Sequence, residues 1–127
     1  MRLLAAVVIM HLAVSLVHGA AHSGAQVELG RVGMLFVYVV ILIGPLAGLA
    51  VSFWRPRAGA WIVALTMTGA LVFGLINHFI IQGADHVSHV GPAWRTRFAS
   101  TAALLVAIEA AGAAIGLSQA VRVRRAS

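Results

Sequence analysis

The sequence predicts an all-α bundle of four membrane-spanning helices forming one domain over residues 1–127, and three observations predict it. Of 127 residues, 61% are hydrophobic and 9% charged, against roughly 45–50% and about 25% in an ordinary soluble domain. Mean hydropathy is +1.00. The apolar residues come in four continuous runs, each about the length that crosses a bilayer core of roughly 30 Å as a helix. Strict alternation of apolar and polar residues, the mark of a membrane barrel, is missing. In lipid a spanning segment must satisfy its own backbone hydrogen bonds, so continuous runs mean helices.

The first run covers residues 3–22. Its basic start, apolar core and Gly19-Ala20-Ala21 also fit a signal peptide, and cleavage after Ala21 would leave His22 as an N-terminal amine and imidazole. Its length, close to a full span, favours a retained helix. A polar connection with Gln26 and Glu28 leads to the second run, residues 32–54, which Gly44-Pro45 should kink. Arg55-Pro56-Arg57 makes a tight basic turn. The third run covers residues 58–81, a histidine-rich connection covers residues 83–96, and the fourth run covers residues 98–121.

The formal charge of +6 comes entirely from arginine. Arg2, Arg55, Arg57, Arg122, Arg124 and Arg125 fall at one end of the four crossings; Arg31, Arg95 and Arg97 fall at the other. The positive-inside bias then puts both termini in the cytoplasm and explains the charge without nucleic acid. Localisation is expected to be the cell membrane, with the loop histidines on the extracytoplasmic side. The chain contains no cysteine, which excludes disulfides, iron–sulfur clusters and thiolate metal sites.

The six histidines carry the chemistry. His11, His18 and His22 are seven and four residues apart, so they share one stripe of the first helix. At about 1.5 Å per residue, His18 lies about 6 Å and His11 about 16 Å below His22. His78, one turn from the end of the third run, is level with His18. Glu109 is level with His11. Two polar layers result, provided the first and third crossings lie side by side.

The outer layer is read as a transition-metal site with His18, His22, His78, His86 and His89 as ligands. Histidines four apart on a helix can both reach one ion, and His86-x-x-His89 adds a compact pair. Imidazole suits zinc or copper, and iron less well in this setting. Asp85 and Glu109 are the candidate catalytic groups for moving protons; His11, Asn77 and Glu28 form a secondary polar layer. An ionised carboxylate at the depth of Glu109 needs a partner.

The function expected is a small metal-dependent enzyme, an oxidoreductase or hydrolase, acting on an apolar or lipid-like substrate from the bilayer. One alternative is an electron-transfer subunit binding haem b or quinone, with His11, His18 or His78 as axial ligands. Another is a non-catalytic accessory subunit of a larger complex. Gly44, Gly48, Gly112 and Gly116 are the small-residue positions at which a homo-oligomer would be expected to pack.

Overall fold

A computed structural model describes residues 1–125, and the side chains of residues 1–122. Four helices are long and apolar enough to cross a membrane. We label them α1 (Arg2–Ala25), α2 (Arg31–Ser52), α3 (Pro56–Ile80) and α4 (Pro92–Arg125). No strand occurs among the described residues. Arg124 and Arg125, part of the arginine count, have side chains outside those described.

The boundaries differ from the sequence expectation by three residues or more at the end of α1 and at both ends of α4, and the first two shifts have a local reason. α1 runs past His22 to Ala25, where Gln26 adopts the left-handed conformation (φ 55°) and its N–H reaches back to the carbonyls of His22 and Ser23. That closure satisfies carbonyls the helix end would otherwise leave bare. α4 begins at Pro92 rather than Phe98. Proline has no N–H to waste at the first helical position and its φ is already helical. The arginines that read as loop are therefore in the first turns of α4. Arg95 Nε donates to the Val90 carbonyl at 3.0 Å, and the Arg97 guanidinium sits 5.2 Å from the centre of the Trp94 ring.

Two helices widen locally. Residues Val37–Ile43 of α2 form π-turns immediately before Gly44-Pro45. Proline cannot donate to the carbonyl four residues back, and its ring would crowd that carbonyl. The wider turns accommodate both problems while the helix continues to Ser52. Ile76–Ile80, carrying Asn77 and His78, is the other widened turn, closed by the Ile81 N–H to the Ile76 carbonyl at 2.8 Å.

Packing runs around the bundle in the order α1, α4, α3, α2. α4 packs against both α1 and α3, and α3 against α2. Neighbours are antiparallel: His11 meets Glu109 while His18 meets Thr101, and Gly116 meets Ala64 while Gly112 meets Met67. α1 and α3 are therefore the diagonal pair, not the side-by-side pair that the histidine argument assumed. Their backbones scarcely meet; long imidazole side chains span the gap.

Close approach rests on small residues, as expected where lipid supplies no hydrophobic drive for helix association. A Cβ at Gly116 would stand 2.8 Å from the Ala64 nitrogen and 2.9 Å from the Ala60 carbonyl oxygen. Gly48 faces Val63, Gly44 faces Thr66 and Gly112 faces Met67. All four glycines expected at an oligomer face thus meet side chains or backbone of the same chain.

The interior is layered. Leu4, Val7, Val8, Val63, Met67 and Ile108 form an apolar core at the end of the bundle holding both termini. Ala21, Val90 and Phe98 form a smaller one at the opposite end, beneath Trp94. Between them lie the polar layers. On one flank α1 packs against the Gly44–Ser52 half of α2 but hardly against its other half. The gap is a cavity of about 810 Å³.

Candidate metal centre

His18 and His22 project from the same face of α1, one helical turn apart, with ring centres 4.8 Å apart. His78 enters from the widened turn at the end of α3 and meets them across the bundle centre. Its Nε2 lies 3.2 Å from Nε2 of His18. Phe98 of α4, fully buried, forms the floor, with its ring 4.7–5.3 Å from the three imidazoles. One nitrogen from each histidine falls within 4.8 Å of those of the other two.

Their hydrogen bonds assign the protons, which is how tautomers are placed when hydrogens are not seen. The Thr101 hydroxyl donates to the Arg97 carbonyl at 2.8 Å. Its oxygen is then the acceptor for His18 Nδ1–H, also at 2.8 Å. His78 Nδ1 faces only acceptors, the Asp85 carbonyl oxygen at 3.1 Å and Asp85 Oδ1 at 3.3 Å, so it too carries the hydrogen. With these tautomers the two Nε2 atoms face each other as lone pairs at 3.2 Å and call for a cation between them; with the Thr101 hydroxyl turned to donate to His18 Nδ1, one Nε2–H donates to the other Nε2 instead. Two nitrogens each about 2.0–2.1 Å from one tetrahedral ion stand about 3.3 Å apart, which is nearly the separation found.

The remaining groups add to that demand. Both carboxylate oxygens of Asp85 are buried without a hydrogen-bond partner; His22 Nε2 at 3.4 Å and His78 Nδ1 at 3.3 Å approach one of them without the alignment of a hydrogen bond. His22 Nδ1 is buried and unpartnered as well. A buried carboxylate and an idle imidazole nitrogen are both costly unless compensated. A cation among the three imidazoles, with Asp85 behind two of them, would answer all three deficits. The acceptors on the far side of two of the rings, Asp85 behind His78 and Thr101 behind His18, are the kind of partner that orients metal-bound histidine.

Asp85 reaches this place because the loop folds back on α3. The Val87 N–H bonds the His78 carbonyl at 3.0 Å, and His86 N–H bonds Gly83 O at 3.1 Å. The other two loop histidines serve that loop. His86 bonds Ser88 (2.7 Å) and Gln82 (3.2 Å), and His89 Nδ1 donates to the Gly83 carbonyl at 2.7 Å. Neither joins the group formed by His18, His22 and His78. Asn77 does not cross to another helix; its amide donates to the Phe73 carbonyl at 2.8 Å, within α3.

The deeper layer is as the depths implied. His11 Nε2 lies 3.2 Å from Glu109 Oε1, both residues buried, and Ser15 Oγ lies 3.5 Å from the same ring nitrogen. Glu109 Oε2 is buried with no partner. Glu109, Glu28 and the three-histidine cluster all border the cavity.

Thr101 and Phe98 were missed from sequence, although a signal existed: Thr101 is a polar residue near the start of the fourth run, at the depth of His18. Comparison of the chain with protein-family models, curated proteins and solved structures found no match.

Proposed function

We propose that this chain is a small multi-pass membrane metalloprotein that binds one divalent transition ion through His18, His22 and His78. Zinc or copper suits three imidazoles without sulfur. The observation that carries the reading is the convergence of one nitrogen from each of His18, His22 and His78 within 4.8 Å, with Nε2 of His18 and His78 3.2 Å apart and their Nδ1 atoms engaged by Thr101 and Asp85. Three protein ligands leave a position open, the usual arrangement of a catalytic rather than a structural ion. The cluster borders a cavity whose size is typical of small-molecule sites. Hence the proposal extends to an enzyme, with an apolar or lipid-like substrate.

The ion would supply Lewis acidity, or electron exchange if it is copper. The chain's own residues do the rest. Asp85 fixes the His78 ring, balances the charge of the ion and is placed to accept a proton. Thr101 fixes His18. Phe98 excludes water from one side. The haem alternative is less well supported, because a porphyrin plane must pass between two axial imidazoles and the facing nitrogens are too close for that. By the arginine count the termini are cytoplasmic and the centre faces the extracytoplasmic side.

The test is cobalt titration of detergent-purified protein, followed by its visible absorption, with elemental analysis in parallel. One ion per chain is expected, and His18→Ala or His78→Ala should each abolish stoichiometric uptake. A wild-type protein that takes up no ion would leave a proton shared by His18 and His78 as the species between them, and the proposal would fall.

A further inference from the structure

We propose that the cavity beside the metal centre receives a hydroxyl-headed hydrocarbon amphiphile, of the long-chain alcohol type, which enters sideways from the bilayer between α1 and α2. The inference rests on the metalloprotein reading for what happens to the head, but the cavity and its groups argue for the ligand by themselves.

Route comes first. Leu16 and Gly19 on α1 and Met34 and Tyr38 on α2 border the cavity and are also exposed, Leu16 by 60% and Tyr38 by 53%. They lie within two spanning helices. The opening therefore looks into the acyl region rather than only into water. Shape comes next. Along α1 the lining runs from Ser15 to Gln26, about 16 Å of helix, so the space is elongated and suits a chain.

The head follows from the polar groups. Glu109 is 3% exposed, one of its oxygens is held by His11, and the other is unpartnered at the cavity wall. An idle buried acceptor asks for a donor. Gly74 stands between this oxygen and the metal cluster: a Cβ there would be 3.9 Å from Glu109 Oε2 and 3.9 Å from His78 Cδ2. The absent side chain leaves space beside Gly74, and a small group entering there would lie between Glu109 and the cluster. A hydroxyl fits, because its hydrogen satisfies Glu109 while its oxygen remains free to face the cluster. A carboxylate would meet Glu109 and Asp85 as a like charge, and an alkane would leave Glu109 bare.

The experiment uses dodecan-1-ol carrying a photoreactive diazirine at mid-chain, on cobalt-loaded full-length protein in detergent, with labelled peptides mapped by mass spectrometry. Expected is labelling of the α1 and α2 walls that unlabelled dodecan-1-ol displaces and that dodecane and dodecanoic acid do not. Gly19→Phe should lose the displaceable label with the cobalt spectrum intact, since a Cβ at Gly19 meets nothing within 4 Å and the ring has room in the mouth. Leu42→Trp, on the α2 wall, should do the same. Glu109→Leu should lose the preference for alcohol over alkane. Label that is not displaced, that dodecane or dodecanoic acid displaces equally well, or that persists in both filled variants would overturn the proposal. Absence of a cobalt spectrum from wild-type protein would instead remove the metal reading, while the displacement series would still decide the ligand.

Discussion

At the scale of single residues, the centre is defined as much by what holds each imidazole as by the imidazoles themselves. Thr101→Val keeps the shape of the side chain but removes the acceptor of His18 Nδ1–H. Loss of such an outer partner weakens metal affinity about 10–100-fold. Cobalt competition against a chelator of known affinity should show a drop in that range. His86→Ala and His89→Ala should bind as wild type, since both rings are engaged in the loop. A loss of metal as large as that in His78→Ala would return them to the ligand set. Acidity supplies a further check. Imidazole binds a metal only when neutral, so each ligand taken up by a proton opposes the ion. Affinity should therefore fall once acidification protonates the ligands, and cobalt uptake that is the same at acid pH as at neutral pH, down to the pH at which the fold is lost, would exclude an all-imidazole donor set.

At the scale of elements, the fold depends on a few points where helix backbones touch. Gly116 is the tightest of these between α3 and α4, because a side chain there meets the backbone of Ala60 and Ala64, which cannot rotate away. Overpacking of this kind costs about 1–3 kcal/mol or more. Gly116→Val should lower the thermal midpoint in detergent markedly, whereas Gly19→Ala, facing open space, should leave it unchanged. Equal effects would mean that the small-residue seam does not hold the bundle. Much of this was legible in the sequence. Four apolar runs specified four helices, helical periodicity put His11, His18 and His22 on one stripe, and rise per residue matched His11 to Glu109 and His18 to His78. What escaped was set by tertiary geometry. Nothing in a one-dimensional pattern says which helices are diagonal, so α1 and α3 were expected as neighbours. A His-x-x-His spacing in a loop looks the same whether its rings face an ion or tie the loop together. The start of α4 was hidden because Arg95 and Arg97 read as loop, although Pro92 marks a helix start.

At the scale of the whole molecule, the layering poses a problem of charge that the termini and loops have to solve. His11 and Glu109 form a buried pair at mid-depth, where an uncompensated ion is costly. Removing one member strands the other, while replacing both with apolar residues of similar size is often neutral or stabilising. Glu109→Leu and His11→Leu should each destabilise the bundle, and the double variant should recover most of the loss. A double variant as unstable as the sum of the singles would show that the pair is not what stabilises either group. Orientation across the membrane is governed by different residues. Six arginines flank one end and three the other, and under the positive-inside rule this asymmetry would direct the arginine-rich end to the cytoplasm. A phosphatase that folds only outside the cytoplasm should therefore be inactive when fused after residue 127 and active when inserted in the loop between α3 and α4. Replacing Arg55 and Arg57 with glutamine leaves four against three, which should make the population of insertions mixed and give activity at both positions. If the terminal fusion is active in the unaltered chain, the arginine rule does not govern this protein. The histidine cluster, fixed to the loop end by Asp85 and His78, would then face the cytoplasm.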